Sequence, residues 1–281
     1  MYGLLCIDDI NIVGHSLFNN FRLALYNTLG KDTFKEISST GDLTGITHLF
    51  IVDEHHIPCV EIWKHDSFID ELNRQNIKTI VFNFEKIFSS SFPWNVDHQR
   101  KLESINNLIQ FVSDIDDAKN LNKTIINKQL LSRDTTLHVP CVKKNNRILF
   151  LGQVNNFYPT RQHVLYTAQA SGLPVDIIVT DRKLTYAQFL EKLNEYTFIL
   201  NPLGTGAFLN IRFYEALKLG CIPIQQITPK MNTWYAELDR AITFQNFTSD
   251  INKDRLENKP CIKKEFYLED YFEVINLRDY L

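Results

Sequence analysis

No apolar run in the chain approaches the ~18 residues of a membrane span, so no membrane-crossing helix is expected. The opening stretch MYGLLCIDDINIVG has no basic segment ahead of its apolar one and soon turns acidic at Asp8-Asp9. A secretory leader is therefore not expected, and a cytoplasmic location follows. Charge bias is also missing, with 30 Lys+Arg against 33 Asp+Glu and a net charge of −3. That balance offers no electrostatic case for nucleic acid or an anionic membrane as the main partner. Cysteine is sparse and scattered, at 6, 59, 141, 221 and 261, with no CxxC pair and no zinc spacing. Reduced, mostly buried thiols are the expectation. The first strand-to-helix turn has no GxGxxG, which argues against a nicotinamide-dinucleotide oxidoreductase. Internal repeats and low-complexity segments are absent as well.

What is present is an ordinary globular composition, 44% apolar and 22% charged over 281 residues. That length holds one large or two small domains. Twenty Phe and eleven Tyr suit aromatic cores and sugar-stacking surfaces alike. Short β-branched runs alternate with helical periodicity throughout. Strands are expected at 3–7, 47–52 and 77–84, and helices at 15–29, 68–75 and 99–111, with a short strand near 111–113. Residues 132–147 lose periodicity and read as a linker. A second series follows: strand 147–154, helix 160–171, strand 174–180, helix 186–195 and strand 196–200. Such alternation predicts parallel, helix-covered sheets.

The most informative stretch is Tyr196 to Ile224, YTFILNPLGTGAFLNIRFYEALKLGCIPI. A strand enters a turn at Asn201, Pro202, Gly204 and Gly206. A helix is expected from Phe208, with Leu209, Phe213, Ala216 and Leu217 on its apolar face. Gly220 stands where a left-handed helix stop belongs, and Cys221 to Ile224 is the next strand. Ligands of parallel sheets bind at the carboxyl ends of the strands. Arg212 and Glu215 fall on a flank of this helix, beside Phe208 and Leu219. One reading is an anion site, with the helix N-terminus and Arg212 holding phosphate and Glu215 accepting from a ribose diol. The other is an i, i+3 ion pair.

The residues Phe198, Leu200, Pro202, Gly204, Arg212, Glu215, Ala216, Leu217, Gly220, Cys221, Ile222 and Pro223 resemble the donor-binding segment of exostosin-type glycosyltransferases, carbohydrate-active family 47. The resemblance covers about 147–226. It implies an α/β chain of GT-B type, two Rossmann-like domains with parallel sheets facing across a cleft. It also implies transfer of a sugar from a nucleotide donor to a glycan acceptor, with inversion and no required cofactor. Compact relatives of this kind occur in large DNA viruses of algae. That suggests a viral xylosyltransferase using UDP-xylose in host cytoplasm, or more broadly a UDP-sugar enzyme. The expected division is an acceptor-side domain at 1–135, a donor-binding domain at 147–248, and a C-terminal segment at 249–281. That segment would cross back to the first domain through Tyr267, Tyr271, Val274 and Ile275.

Such chemistry needs positive groups at the donor phosphates and a base for the acceptor hydroxyl. Arg161, Arg212, Asn201, Gly204 and Thr205 are the candidates for the phosphates, Arg161 being equally readable as a structural arginine. Asp181-Arg182-Lys183 suit a base or ribose contact or a solvated loop. Base candidates are Asp53, Glu54 and Glu85 at strand ends, then His15 and His55. No metal site is expected. Asp114-Ile115-Asp116 matches an Asp-x-Asp metal signature but fits a helix start better, and the adjacent His55 and His56 would point apart on an extended chain. Alternatives are a non-catalytic carbohydrate- or nucleotide-binding scaffold, or a transferase using a GDP-sugar such as GDP-fucose.

Overall fold

A computed structural model describes residues 1–6, 16–53, 65–84, 86–88, 94–121, 124–133, 139–140, 142–156, 158–180, 184–260 and 266–281. The chain divides into two compact units. The first takes in Met1–Asp9, Leu17–Thr135 and Tyr267–Leu281, and the second Ile10–Ser16 and Thr136–Phe266.

The first unit contains β1 (Tyr2–Leu5), α1 (Ser16–Leu29), β2 (Phe34–Glu36), β3 (His48–Asp53), α2 (Asp66–Arg74) and β4 (Lys78–Asn83). It continues with α3 (Trp94–Glu103), β5 (Leu108–Val112), α4 (Ile115–Asn120) and β6 (Thr124–Ile126). Its sheet has the order β2-β1-β3-β4-β5-β6, every pair parallel. Central strands buried on both faces read as continuous apolar runs rather than alternating ones. Leu49, Ile51 and Val81 pack with Phe68, Leu72 and Leu102 on one face. Aromatic rings gather elsewhere in the unit, where Phe21 meets Phe84 at 4.6 Å and Phe82 stacks on Phe111 at 4.8 Å.

The second unit contains β7 (Asn145–Gly152), α5 (Pro159–Ala170), β8 (Val175–Val179), α6 (Tyr186–Asn194), β9 (Tyr196–Asn201) and α7 (Ile211–Lys218). β10 (Ile222–Gln226), β11 (Ile242–Phe244), α8 (Phe247–Asp250) and α9 (Lys253–Glu257) complete it. The sheet order is β11-β10-β9-β7-β8, again all parallel. Successive β7 side chains serve opposite faces, as a strand requires. Ile148 and Phe150 join α5 in one core, while Leu149 and Leu151 join α6 and Ala216 of α7 in the other.

α10 (Leu268–Val274) belongs to the first unit. The Leu268 amide donates to the Leu131 carbonyl at 2.8 Å, and Phe272 packs 5.8 Å from Phe82. Residues 249–260 and Phe266 group with the second unit, so the segment that joins the first begins at Tyr267. The helix turns Leu268, Glu269 and Phe272 inward, while Val274 is 83% exposed. The expected inward face of Tyr267, Tyr271, Val274 and Ile275 is thus rotated by one residue, to the i, i+4 pair Leu268 and Phe272.

The expected helix at 99–111 is two elements. α3 stops at Glu103, a turn follows, and Leu108–Val112 is a strand. The Asn106 amide donates to Asn73 Oδ1 at 2.8 Å, which holds that turn. Apolar residues there fit both periods, so spacing alone misassigned them. Strands β2, β6 and β11, of three residues each, were not foreseen.

Both sheets share one order. The first strand of each lies between the second and the third, so successive connections leave in opposite directions. This is a topological switch point, at the carboxyl ends of β7 and β9 in the second unit.

Candidate functional site

The loop from β9 to α7 is built from amides. Asn201, fully buried at the end of β9, donates to Gln225 Oε1 at 2.6 Å and exchanges 3.2 Å bonds with Asn210. The Leu203 amide donates to Gln226 Oε1 at 3.0 Å. The β9 end of the loop is thereby fixed to β10, and the α7 end to Asn201. Asn201 was expected to offer its side chain to a ligand, but the neighbouring strand engages it instead.

α7 begins at Ile211, not Phe208, and Asn210 ahead of it makes no side-chain cap. The glycine-containing loop therefore runs three residues further, and Arg212 enters the first turn. The helix ends as expected at Gly220, with φ +65°. Gly220 N–H bonds Leu217 O and Cys221 N–H bonds Ala216 O, the Schellman pattern that leads directly into β10.

Arg212 lies at the switch point. Its guanidinium covers Gly152, the last residue of β7, and a Cβ built there would meet Nη2 at 2.8 Å. The Phe150 and Phe189 rings stand 5.9 and 5.7 Å away. Nε and Nη1 are buried and make no hydrogen bond to any of the described residues. Burial, then the charge of Arg161, lowers its pKa to about 10. The group remains a cation at neutral pH, held in a medium that penalises charge.

Arg161 comes from the first turn of α5 and is 7% exposed. Its Nη1 donates to Gln153 O at 3.0 Å, and its guanidinium stacks 3.8 Å above the Tyr158 ring. Nη2 lies 3.7 Å from where a Gly204 Cβ would stand. Two helix N-terminal turns thus bring two guanidinium groups together over Gly152 and Gly204. Like charges in a buried setting repel, and an anion between them would reverse that cost.

Glu215 attracts Arg212 electrostatically without forming a salt bridge to it. It is 2% exposed, and among the described residues no ion pair joins it to Arg212. Burial raises its pKa to about 7, opposed by a hydrogen bond from Tyr186 and by the charge of Arg212. The expected open flank is therefore absent. α7 buries five consecutive residues, Phe213 to Leu217, which places the Glu215 carboxylate inside, on Tyr186, rather than open to a ribose. The i, i+3 ion-pair reading also lapses.

Asp53 closes β3, opposite Asn83 of β4. Glu54, Glu85, His15, His55, His56 and Asp181 to Lys183 lie outside the described residues. Asp114 caps α4, accepting from Asp116 N at 2.9 Å and Asp117 N at 3.3 Å, so Asp-x-Asp here starts a helix. Among the described residues no three His, Cys, Asp or Glu side chains group to hold a metal. None of the described helices is long and apolar enough to cross a membrane. Gly152, Tyr158, Asn210, Gln225 and Gln226 were not anticipated. Gly152 had a readable signal, since glycine ending a buried strand often marks a close approach.

Two parallel, helix-covered sheets of Rossmann type make this an α/β chain of GT-B fold class. A solved alpha1,3-fucosyltransferase aligns with a TM-score of 0.53 at 13% identity, over 98% of this chain and 88% of that one. A second, an alpha1,3-fucosyltransferase with GDP, aligns at 0.49 and 14% identity, over 92% and 76%. The fold class rests on the former. No family model matches the chain, and no curated protein matches it. The exostosin resemblance stands on its motif residues alone.

Proposed function

We propose that the chain is a glycosyltransferase that holds a nucleoside diphosphate sugar on its second unit. The observation that carries this is the pair of guanidinium groups, Arg161 and Arg212, at the β7/β9 switch point. Diphosphate is the leaving group of sugar transfer, and its charge grows as the bond from the sugar C1 breaks. Fixed cations in a low-dielectric site stabilise that charge without a metal. Gly204 and Thr205 lie on the adjoining loop, and Gly204 leaves room for close phosphate approach. Inversion needs the acceptor oxygen to attack C1 while a carboxylate takes its proton. Asp53, Glu54 and Glu85 of the first unit are the candidates for that role.

The exostosin resemblance favours a UDP-linked donor, with xylose as the specific sugar and a glycan as acceptor. The likeness to an alpha1,3-fucosyltransferase favours a second reading, a GDP-sugar such as GDP-fucose. Calorimetric titration of UDP and of GDP into the purified chain, with EDTA present, decides between them. One is expected to bind. Arg212→Lys should weaken that binding roughly ten- to a hundredfold, because an ammonium cannot reproduce the planar fork and a charged hydrogen bond is lost. Wild-type affinity in the variant, or binding of neither nucleotide, would remove the reading.

A further inference from the structure

We infer that Gly152 is a positioning residue: its missing side chain is the seat that holds the Arg212 guanidinium at the switch point. This rests on the reading of Arg212 as a phosphate contact. Gly152 is not a glycine for conformational reasons. It ends β7 in register with Val179 of β8, its carbonyl accepts from Thr180 N at 3.0 Å, and its φ is not among the positive ones. Alanine fits such a backbone. What alanine does not fit is the space, since its Cβ would meet Arg212 Nη2 at 2.8 Å and Cζ and Nη1 at 3.1 Å.

The three atoms nearest to that Cβ all belong to one guanidinium, so this side chain is the first obstacle it would meet. The backbone of β7 would not have to move in Gly152→Ala. The arginine tip is the movable partner, so the substitution should leave the fold standing and push the guanidinium off its seat. No hydrogen bond from Nε or Nη1 to a described residue opposes that displacement. Arg161 is fixed differently, by the Gln153 carbonyl and the Tyr158 ring, and should keep its place.

The test is a double-mutant cycle on the full chain. Gly152→Ala, Arg212→Ala and the double variant are each titrated with UDP and GDP. ¹⁵Nε resonances of the arginines are recorded in the absence of nucleotide. Gly152→Ala should lose roughly tenfold or more in affinity with an unchanged unfolding temperature. In the Arg212→Ala background the same substitution should cost nothing further, which a merely structural glycine would not show. The Arg212 Nε signal should move in Gly152→Ala while that of Arg161 stays. An unmoved Arg212 signal, or an equal affinity loss in both backgrounds, overturns the seat and leaves the proposed function standing. Failure of the wild type to bind either nucleotide overturns the proposed function instead, and the resonance shift then decides the seat by itself.

Discussion

The two units share a strand order and differ in what closes their carboxyl ends. In the second, Arg161 and Arg212 bring net positive charge to the ends of β7 and β9. In the first, the described ends of β4 and β5 are closed by neutral or self-satisfying groups. Asn83 donates to Gln110 Oε1 at 3.4 Å, Ser113 donates to Asn83 O at 3.0 Å, and Gln129 donates to Phe84 O at 2.7 Å. Asp114 and Asp117 are there too, but both accept from backbone amides, Asp114 within α4 and Asp117 from Ile87 and Phe88. The ends of β4 and β5 thus keep their polar groups satisfied within the unit, while the ends of β7 and β9 gather positive charge. A Rossmann-like sheet is permissive, and the site is what distinguishes one from another.

The strongest way to break this comparison is to loosen one unit and watch the other. Phe272 of α10 packs at 6.1 Å from Phe21 and 5.8 Å from Phe82 and is 1% exposed. Phe272→Ala should destabilise the first unit by about 3–5 kcal/mol through lost burial and a residual cavity. Thermal unfolding should show an early transition, while the folded protein keeps its nucleotide affinity. A parallel loss of affinity would mean that the anion site does not belong to the second unit alone.

Next in size is the pH response of the second unit. The folded pKa of Glu215, about 7, lies above its ordinary 4.5. A raised carboxylate stabilises the fold while protonated, so its contribution is complete below the ordinary value and fades as pH rises through about 7. Relative to Glu215→Gln, the wild type should therefore lose stability between about pH 5 and pH 8, by a few kcal/mol at most. Chemical denaturation of both proteins across that range checks it. Parallel pH profiles would show that the carboxylate is solvated, and the ribose contact would return as a live option.

The smallest effect sharpens the contrast from the first unit. Asp114→Ala removes the cap of α4, at a cost of about 0.5–2 kcal/mol. UDP and GDP affinity should not change, and activity should not acquire a metal dependence. Loss of Mn²⁺- or Mg²⁺-supported turnover in this variant would restore Asp114 to Asp116 as a metal motif.

Much of this protein was legible in the chain alone. Alternating β-branched runs and helical faces announced two parallel-sheet series, because the side-chain periods of strand and helix differ locally and need no distant partner. Gly220 announced its own helix stop for the same reason, since a left-handed φ is a property of one residue. The FILNPLGTG…RFYEALKLGCIPI motif singled out Arg212, and the order of strands and helices singled out Arg161. Burial and partners were settled only in three dimensions. Spacing put Glu215 on an open flank, but α6 covers that flank and Tyr186 takes the carboxylate. Asn201 looked available until β10 brought Gln225 against it. Leu108 to Val112 suited either period until pairing with β4 and β6 chose the strand. The seat for Arg212 joins residues sixty positions apart (152 and 212). Such proximity comes from the sheet, whose central strands set distant segments side by side, and no local pattern encodes it.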